Sequence, residues 1–248
     1  MNKLLCSIFS LISTFIHCQK LREYKPKEIR EIKTNFTEDF VQKYNSKESL
    51  EICKAIWDKM SKENLNFDDL TDLEKDNLNY CDEFEGNPWS KKFTGCSWYC
   101  GGIIDSIYST ATSNTNNIHD SDYGTVWKSN DNIKVNYIEY IFKAESARVS
   151  EIIIVNGYVK TNELFQEFSR VKKIKMYVND KPYAILNLND IKDEQVFVFK
   201  PIGHKKNKNY EPVNKNDWKI KFEIIEIYNG KVDIISLSEI YFDGDGHE

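Results

Sequence analysis

From Gly102 onward the side chains alternate in character with a period of two, and that alternation limits the fold more than any other feature. In RVKKIKMYV (170–178), Ile174, Met176 and Val178 fall on one side and Lys173, Lys175 and Tyr177 on the other. DWKIKFEI (217–224) repeats the pattern, with Trp218, Ile220, Phe222 and Ile224 opposed to Lys219, Lys221 and Glu223. Successive side chains of a strand point to opposite faces, so these runs read as strands with one buried and one wetted face. VNYIEYIF, EIIIVNGY and LSEIYF add runs rich in branched and aromatic residues, and Asn179–Asp180 and Asn229–Gly230 read as turns. Several strands with no helical pattern between them predict an antiparallel β-sandwich of about 150 residues, an ordinary domain size.

Before that point the period is helical, from about residue 38 to 85. SLEICKAIWDKM places Leu50, Cys53, Ile56, Trp57 and Met60 on one face. TDLE (71–74) is a capping box: Thr71 serves the helix start and Glu74 reaches back. The following stretch carries Leu78, Cys81 and Phe84 at intervals of three. The acidic run Glu63, Asp68, Asp69, Asp72, Glu74 and Asp76 reads as a solvated face.

Residues 1–18 combine Lys3 with an apolar run from Leu4 to Ile16, the layout of a secretory signal peptide. The run is shorter than the roughly 20 residues of a membrane span. The expectation is an exported chain that is secreted, periplasmic or on the outer surface, with no transmembrane span after cleavage. The bulky His17 disfavours a lipid anchor on Cys18. Cleavage leaves Cys53, Cys81, Cys96 and Cys100, an even number in an oxidising compartment, which reads as two disulfides. Cys53–Cys81 and Cys96–Cys100 are expected because each pair is local. The histidines beyond the signal, His119, His204 and His247, are isolated, which argues against a zinc site. Three residues rather than two separate Cys96 from Cys100, which argues against a thioredoxin-like one.

The 248 residues, 40% hydrophobic, suffice for a proper core. A net charge of −5 argues against a nucleic-acid binder, and the lysine-rich 203–215 reads as a solvated loop. The sequence contains no Gly-x-Ser-x-Gly elbow, no His-Glu-x-x-His, no phosphate loop and no dinucleotide fingerprint, so it reads as non-catalytic.

HDSDYGTVW (119–127) resembles the early motif of discoidin-like, or coagulation factor five/eight type C, domains, and LSEIYFDG (237–244) resembles their closing strand. CSWYCGG, EIIIVNGYVK, SRVKKIKMYVNDKPYAILNL and WKIKFEIIEIY are similar to the branch named for NAD glycohydrolase translocation and glycan binding. The resemblance runs over 95–248 and implies an eight-stranded, galactose-binding-like jelly-roll sandwich that binds carbohydrate through loops at one end. The chain then divides into a signal peptide (1–18), a small α-helical segment (19–94) and the sandwich (95–248). Residues 19–94 are too few for an NAD-cleaving domain. The resemblance also groups Asp120, Asp122, Thr125 and Glu239 as hard oxygen ligands for a structural calcium ion. Ser121 and Asp122 stand where relatives have Gly and Asn. The other reading of this stretch is an Asx-turn without an ion.

Sugars take aromatic faces and planar polar side chains. The expected loop candidates are Trp98, Tyr99, Tyr123, Asn156, Tyr158 and Arg170, while Trp127 is expected in the core. The function that follows is an exported, non-catalytic carbohydrate-binding protein whose partner is a cell-surface glycan. The alternatives are a protein-interaction or adhesion module, with the helical segment meeting an envelope protein, and a glycosidase-type hydrolase.

Overall fold

The structure, a computed structural model, describes residues 21–32, 47–75, 77, 104–130 and 135–244. Eleven strands form one hydrogen-bonded sheet that folds back on itself. They are β1 (Arg22–Tyr24), β2 (Glu28–Arg30), β3 (Ile104–Ser109), β4 (Trp127–Lys128), β5 (Tyr137–Phe142) and β6 (Val149–Asn156). Then come β7 (Phe168–Val178), β8 (Lys181–Asn187), β9 (Glu194–Ile202), β10 (Trp218–Tyr228) and β11 (Val232–Asp243). The described α-helices are α1 (Lys47–Glu63) and α2 (Asn162–Glu167), with 3-10 turns at Phe67–Asp69 and Thr115–Ile118.

The main path runs β2-β9-β6-β11-β7-β10-β5-β3, with β8 beside β7. β11 joins the two layers: Val232–Ser236 pairs in parallel with the start of β7, and Glu239–Asp243 pairs antiparallel with β6. The inward sides of both layers share one core. Ile174, Met176, Trp218, Ile220 and Phe222 are buried in it as the alternation predicts, with Phe142 from the neighbouring β5 and Ile154, Phe197, Leu237 and Ile240 from β6, β9 and β11. Burying each such side chain contributes about 1.5–3 kcal/mol, so this shared core is what closes the sandwich. Trp127 is fully buried here too. The turn at Asn179–Asp180 has φ of +47° and +64°, as a tight hairpin between β7 and β8 requires.

Residues 95–248 supply nine of the described strands, β3 to β11, against the eight the resemblance implies, the extra one being the two-residue β4 beside β11. Residues 22–30, expected within a helical segment, instead supply β1 and β2, which pair with β8 and β9. In α1, Ile56 packs with Leu70 and Met60, but Trp57 is 44% exposed, so the apolar face is narrower than its spacing suggests. The capping box forms: Thr71 N donates to Glu74 Oε2 at 2.9 Å, and Glu74 N donates to Thr71 Oγ1 at 3.3 Å. Lys59 pairs with the same carboxyl at 2.8 Å and, with Thr71, holds its pKa down to about 2. Cys53 is half-buried on α1, whereas Cys81, Cys96 and Cys100 lie outside the described residues, as do Trp98 and Tyr99. No described helix is long and apolar enough to cross a membrane.

Candidate functional site

The registers bring the ends of β3, β6, β8 and β10 to one end of the sandwich. Connections 110–130, 157–167, 188–193 and 229–231 therefore gather there, and the described calcium and sugar candidates stand at this end. The 119–125 stretch is a turn closed by its own hydrogen bonds. Asp120 Oδ1 accepts from Asp122 N at 3.0 Å, and its Oδ2 accepts from the Thr125 hydroxyl at 2.8 Å. Asp122 Oδ1 accepts from Gly124 N at 2.7 Å. Asp122 N also donates to Glu239 Oε1 at 3.1 Å, so the end of the chain is tied to this early loop.

The four residues grouped as calcium ligands thus do converge, but as acceptors and donors of an Asx-type turn. Among the described residues no group of three or more His, Cys, Asp or Glu is placed to hold a metal ion. No step below passes through an ion. Ser121 sits at φ +64°, in the left-handed region that glycine occupies without cost. Ser121→Gly is therefore expected to raise stability, by about 0.5–1 kcal/mol in denaturant titration.

His119 packs among Tyr140, Tyr241 and Phe242, and its Nδ1 meets the Ile240 carbonyl at 2.7 Å, so that nitrogen carries the proton. Burial lowers its pKa from the ordinary value, outweighing the Ile240 bond and Asp120. The unfolded chain therefore takes up the proton first as pH falls. This contribution to stability is full above the unfolded pKa, about 6.5, and declines as pH drops below it. Melting temperature is expected to fall between about pH 7.5 and 5.5, and His119→Gln, which can still donate to Ile240, should flatten that slope.

The sugar-contact candidates were expected to be exposed, and for three of them burial corrects this. Tyr123 is 1% exposed, Asn156 0% and Arg170 8%. Tyr123 donates to Glu194 at 2.8 Å; burial, then the neighbouring Glu194, pushes its pKa up, so it stays a donor. Asn156 bonds both the carbonyl and the amide of Val171, at 2.7 and 2.9 Å, and reaches the Asn189 carbonyl at 3.3 Å. Arg170 grips Asp190 with two bonds of 2.9 and 2.8 Å. Tyr158 is half-buried and donates to the Gly124 carbonyl at 2.9 Å. These four side chains fix the loops to the sheets.

What they position is a cleft of about 500 Å³. Its floor is Ile32, Tyr123 and Val159, and its rim carries Lys160, Asn162 and Lys192, with Glu163 and Asp193 beside them. Lys192 Nζ donates to Asn162 Oδ1 at 2.6 Å, bridging the 157–167 and 188–193 connections. Glu163 is held below the usual carboxylate range by its own backbone N–H, by the Thr161 hydroxyl and by nearby lysines. An apolar floor under a rim of amide, ammonium and carboxylate groups accommodates a ring with one apolar face and hydroxyls at its edge. Sequence reasoning missed the rim, because Lys160, Asn162 and Lys192 read as ordinary solvated loop residues and meet only across the folded chain.

Residues 98–243 match the family model described as the NAD glycohydrolase translocation F5/8 type C domain. The chain belongs to this family. Its fold is therefore discoidin-like. A search of curated proteins found no match. Among solved structures, the chain is similar to CpGH89CBM32-5 of Clostridium perfringens, solved in complex with GalNAc-β-1,3-galactose, at 11% identity and a TM-score of 0.38. That alignment covers 56% of this chain and 94% of the other. It is also similar to the CBM32-1 and CBM32-2 domains of Clostridium perfringens ZmpB, at 16% identity and a TM-score of 0.40, covering 84% of this chain and 58% of that one. A third is the arabinofuranosyltransferase AftD from Mycobacteria, at 12% identity and a TM-score of 0.36, covering 56% of this chain and 11% of that one.

Proposed function

We propose that the protein is an exported, non-catalytic carbohydrate-binding protein that holds a glycan in the cleft between the 157–167 and 188–193 connections. The observation that carries this reading is the cleft itself: an apolar floor and a polar rim on loops that buried side chains pin to a rigid sandwich. The family, of discoidin-like fold, supports it. Export rests on the leader-like residues 1–18, and the two disulfides belong to the same reading. His119, the histidine that could suggest a triad, is committed to the Ile240 carbonyl within an aromatic cage, which supports a binding rather than a catalytic role.

A shallow site of this kind binds one sugar at about millimolar Kd, so firm attachment needs repeated glycans or several copies. Replacing both Asn162 and Lys192 by Ala should weaken glycan binding about tenfold, since two polar contacts are lost. As surface changes, they should shift stability by no more than about 0.5 kcal/mol. Isothermal titration with the glycan selected from a panel measures the first, and thermal melting the second. Unchanged affinity in the double variant would move the site elsewhere.

A further inference from the structure

The opposite end of the sandwich carries a second cleft, of about 390 Å³, where the 179–180 turn meets the 203–217 connection. Asn179, His204, Asn214, Asn216, Asp217 and Trp218 line it. Trp218 is 1% exposed, and its indole Nε1 is buried without a hydrogen-bond partner. Buried indole N–H groups usually find a partner, so this one is an exception that asks for a ligand. The ring is held in place: it stacks on Phe142 at 4.2 Å and 9°, and Gly203, at φ +118°, lies against its edge. A Cβ at Gly203 would stand 2.9 Å from Trp218 Cζ2, so the backbone approaches the indole as only glycine allows.

The groups around the indole are amide-rich. Asn179 Oδ1 accepts from Lys219 N at 2.9 Å and Asn214 Oδ1 from Asn216 N at 3.0 Å. Those bonds fix both amides while their NH₂ groups make no hydrogen bond among the described residues. The carboxylates outnumber the ammonium groups: Asp180 and Glu139 share Lys219 at 2.9 and 3.2 Å, and Asp217 stands 3.7 Å from Lys143, which Asp105 holds at 2.6 Å. The connection is also pre-shaped, since Asn207 Oδ1 accepts from the backbone of Asn209 and Glu211 at 2.8 and 3.1 Å. A neutral, hydroxyl-bearing ring finds amides in fixed positions here.

We propose that this cleft is a second, independent saccharide site, which makes the protein bivalent. β7 spans the distance between the two ends in eleven residues, roughly 35 Å, so one molecule can bridge two glycan chains. Saccharide binding at this cleft does not depend on the first cleft, whereas bivalency rests on the proposed function. It is tested with the full chain, ¹⁵N-labelled, titrated with galactose, N-acetylgalactosamine and N-acetylglucosamine to about 100 mM, well above a millimolar Kd. The readout is the Trp218 indole N–H resonance, assigned by its loss in Trp218→Phe. The expected result is a saturable shift with at least one sugar, weakened about fivefold or more in Asn214→Ala and unchanged when Asn162 and Lys192 are both Ala. No shift with any of the three sugars overturns the proposal, as does a shift that survives Asn214→Ala at full affinity. A shift that disappears with the Asn162 and Lys192 changes would assign the response to the first cleft and also overturn it. If the first cleft fails to bind, its Lys160 and Lys192 amide signals stay still while the indole moves, so the two failures are told apart.

Discussion

Asn156→Ala is expected to destabilise the protein by about 3–5 kcal/mol, the largest effect of any single polar truncation at the candidate site. Asn156 is fully buried at the end of β6 and stands in for a strand, satisfying both the amide and the carbonyl of Val171 on β7. Truncation leaves both groups and one lone pair of the Asn189 carbonyl without that partner, in a place water does not reach. Each such orphan costs about 1–3 kcal/mol, which sets the estimate. For a domain of this size the melting temperature should fall by about 6–20 °C. Asn156→Asp should do no better, since a carboxylate can accept from Val171 N but cannot donate to Val171 O. The measurement also separates two roles. A sugar contact would lose affinity with stability intact, whereas a loop anchor loses stability and keeps its affinity wherever it remains folded. The second outcome is expected.

Gly230→Ala should rank next, at about 2–4 kcal/mol, for a reason of shape rather than polarity. Gly230 crosses directly over the start of β7, where an added Cβ would lie 2.3 Å from the Phe168 carbonyl carbon and 2.6 Å from the Glu167 oxygen. Both are backbone atoms, so no side chain can turn aside. The contact is also bonded: Gly230 N donates to Ser169 Oγ at 3.0 Å and Lys231 N to the Glu167 carbonyl at 2.8 Å. Relief requires the β10–β11 connection to lift, which would strain the parallel β7–β11 junction that links the two layers. Chemical denaturation of the variant should show a lower midpoint with an unchanged slope. A loss under about 1 kcal/mol would mean the connection moves without resistance.

The alternation that places Ile174 and Met176 inside, and Trp218, Ile220 and Phe222 with them, was legible because a half-buried strand writes its face into every second residue. The Thr71–Glu74 box and the Asn179–Asp180 turn were legible for a similar reason: each is settled by neighbours in sequence. β1 and β2 were not. REY and EIR are three residues long, carry no alternation of their own, and are strands because β8 and β9 lie beside them. The candidate site was half legible. The resemblance located the end of the sandwich and grouped Glu239 with the 120–125 loop, whose Asp122 N it accepts from, but residue type does not tell an exposed aromatic or amide from a buried one. Tyr123, Asn156 and Arg170 have the chemistry to hold a sugar, and they use it to hold loops. Lys192 and Asn162 gain meaning only because buried anchors bring their loops within 2.6 Å.

The central claim, that this is a binding protein for glycans and performs no chemistry on them, is tested most directly on a broad glycan panel probed with the full chain. The same preparation should be assayed for NAD cleavage and for hydrolysis of chromogenic glycosides. The expected result is selective binding to a subset of glycans, strengthened by multivalent display and reduced about tenfold when Asn162 and Lys192 are both Ala, with no turnover in either assay. Silence on every glycan, or turnover of NAD or of a glycoside, would contradict it.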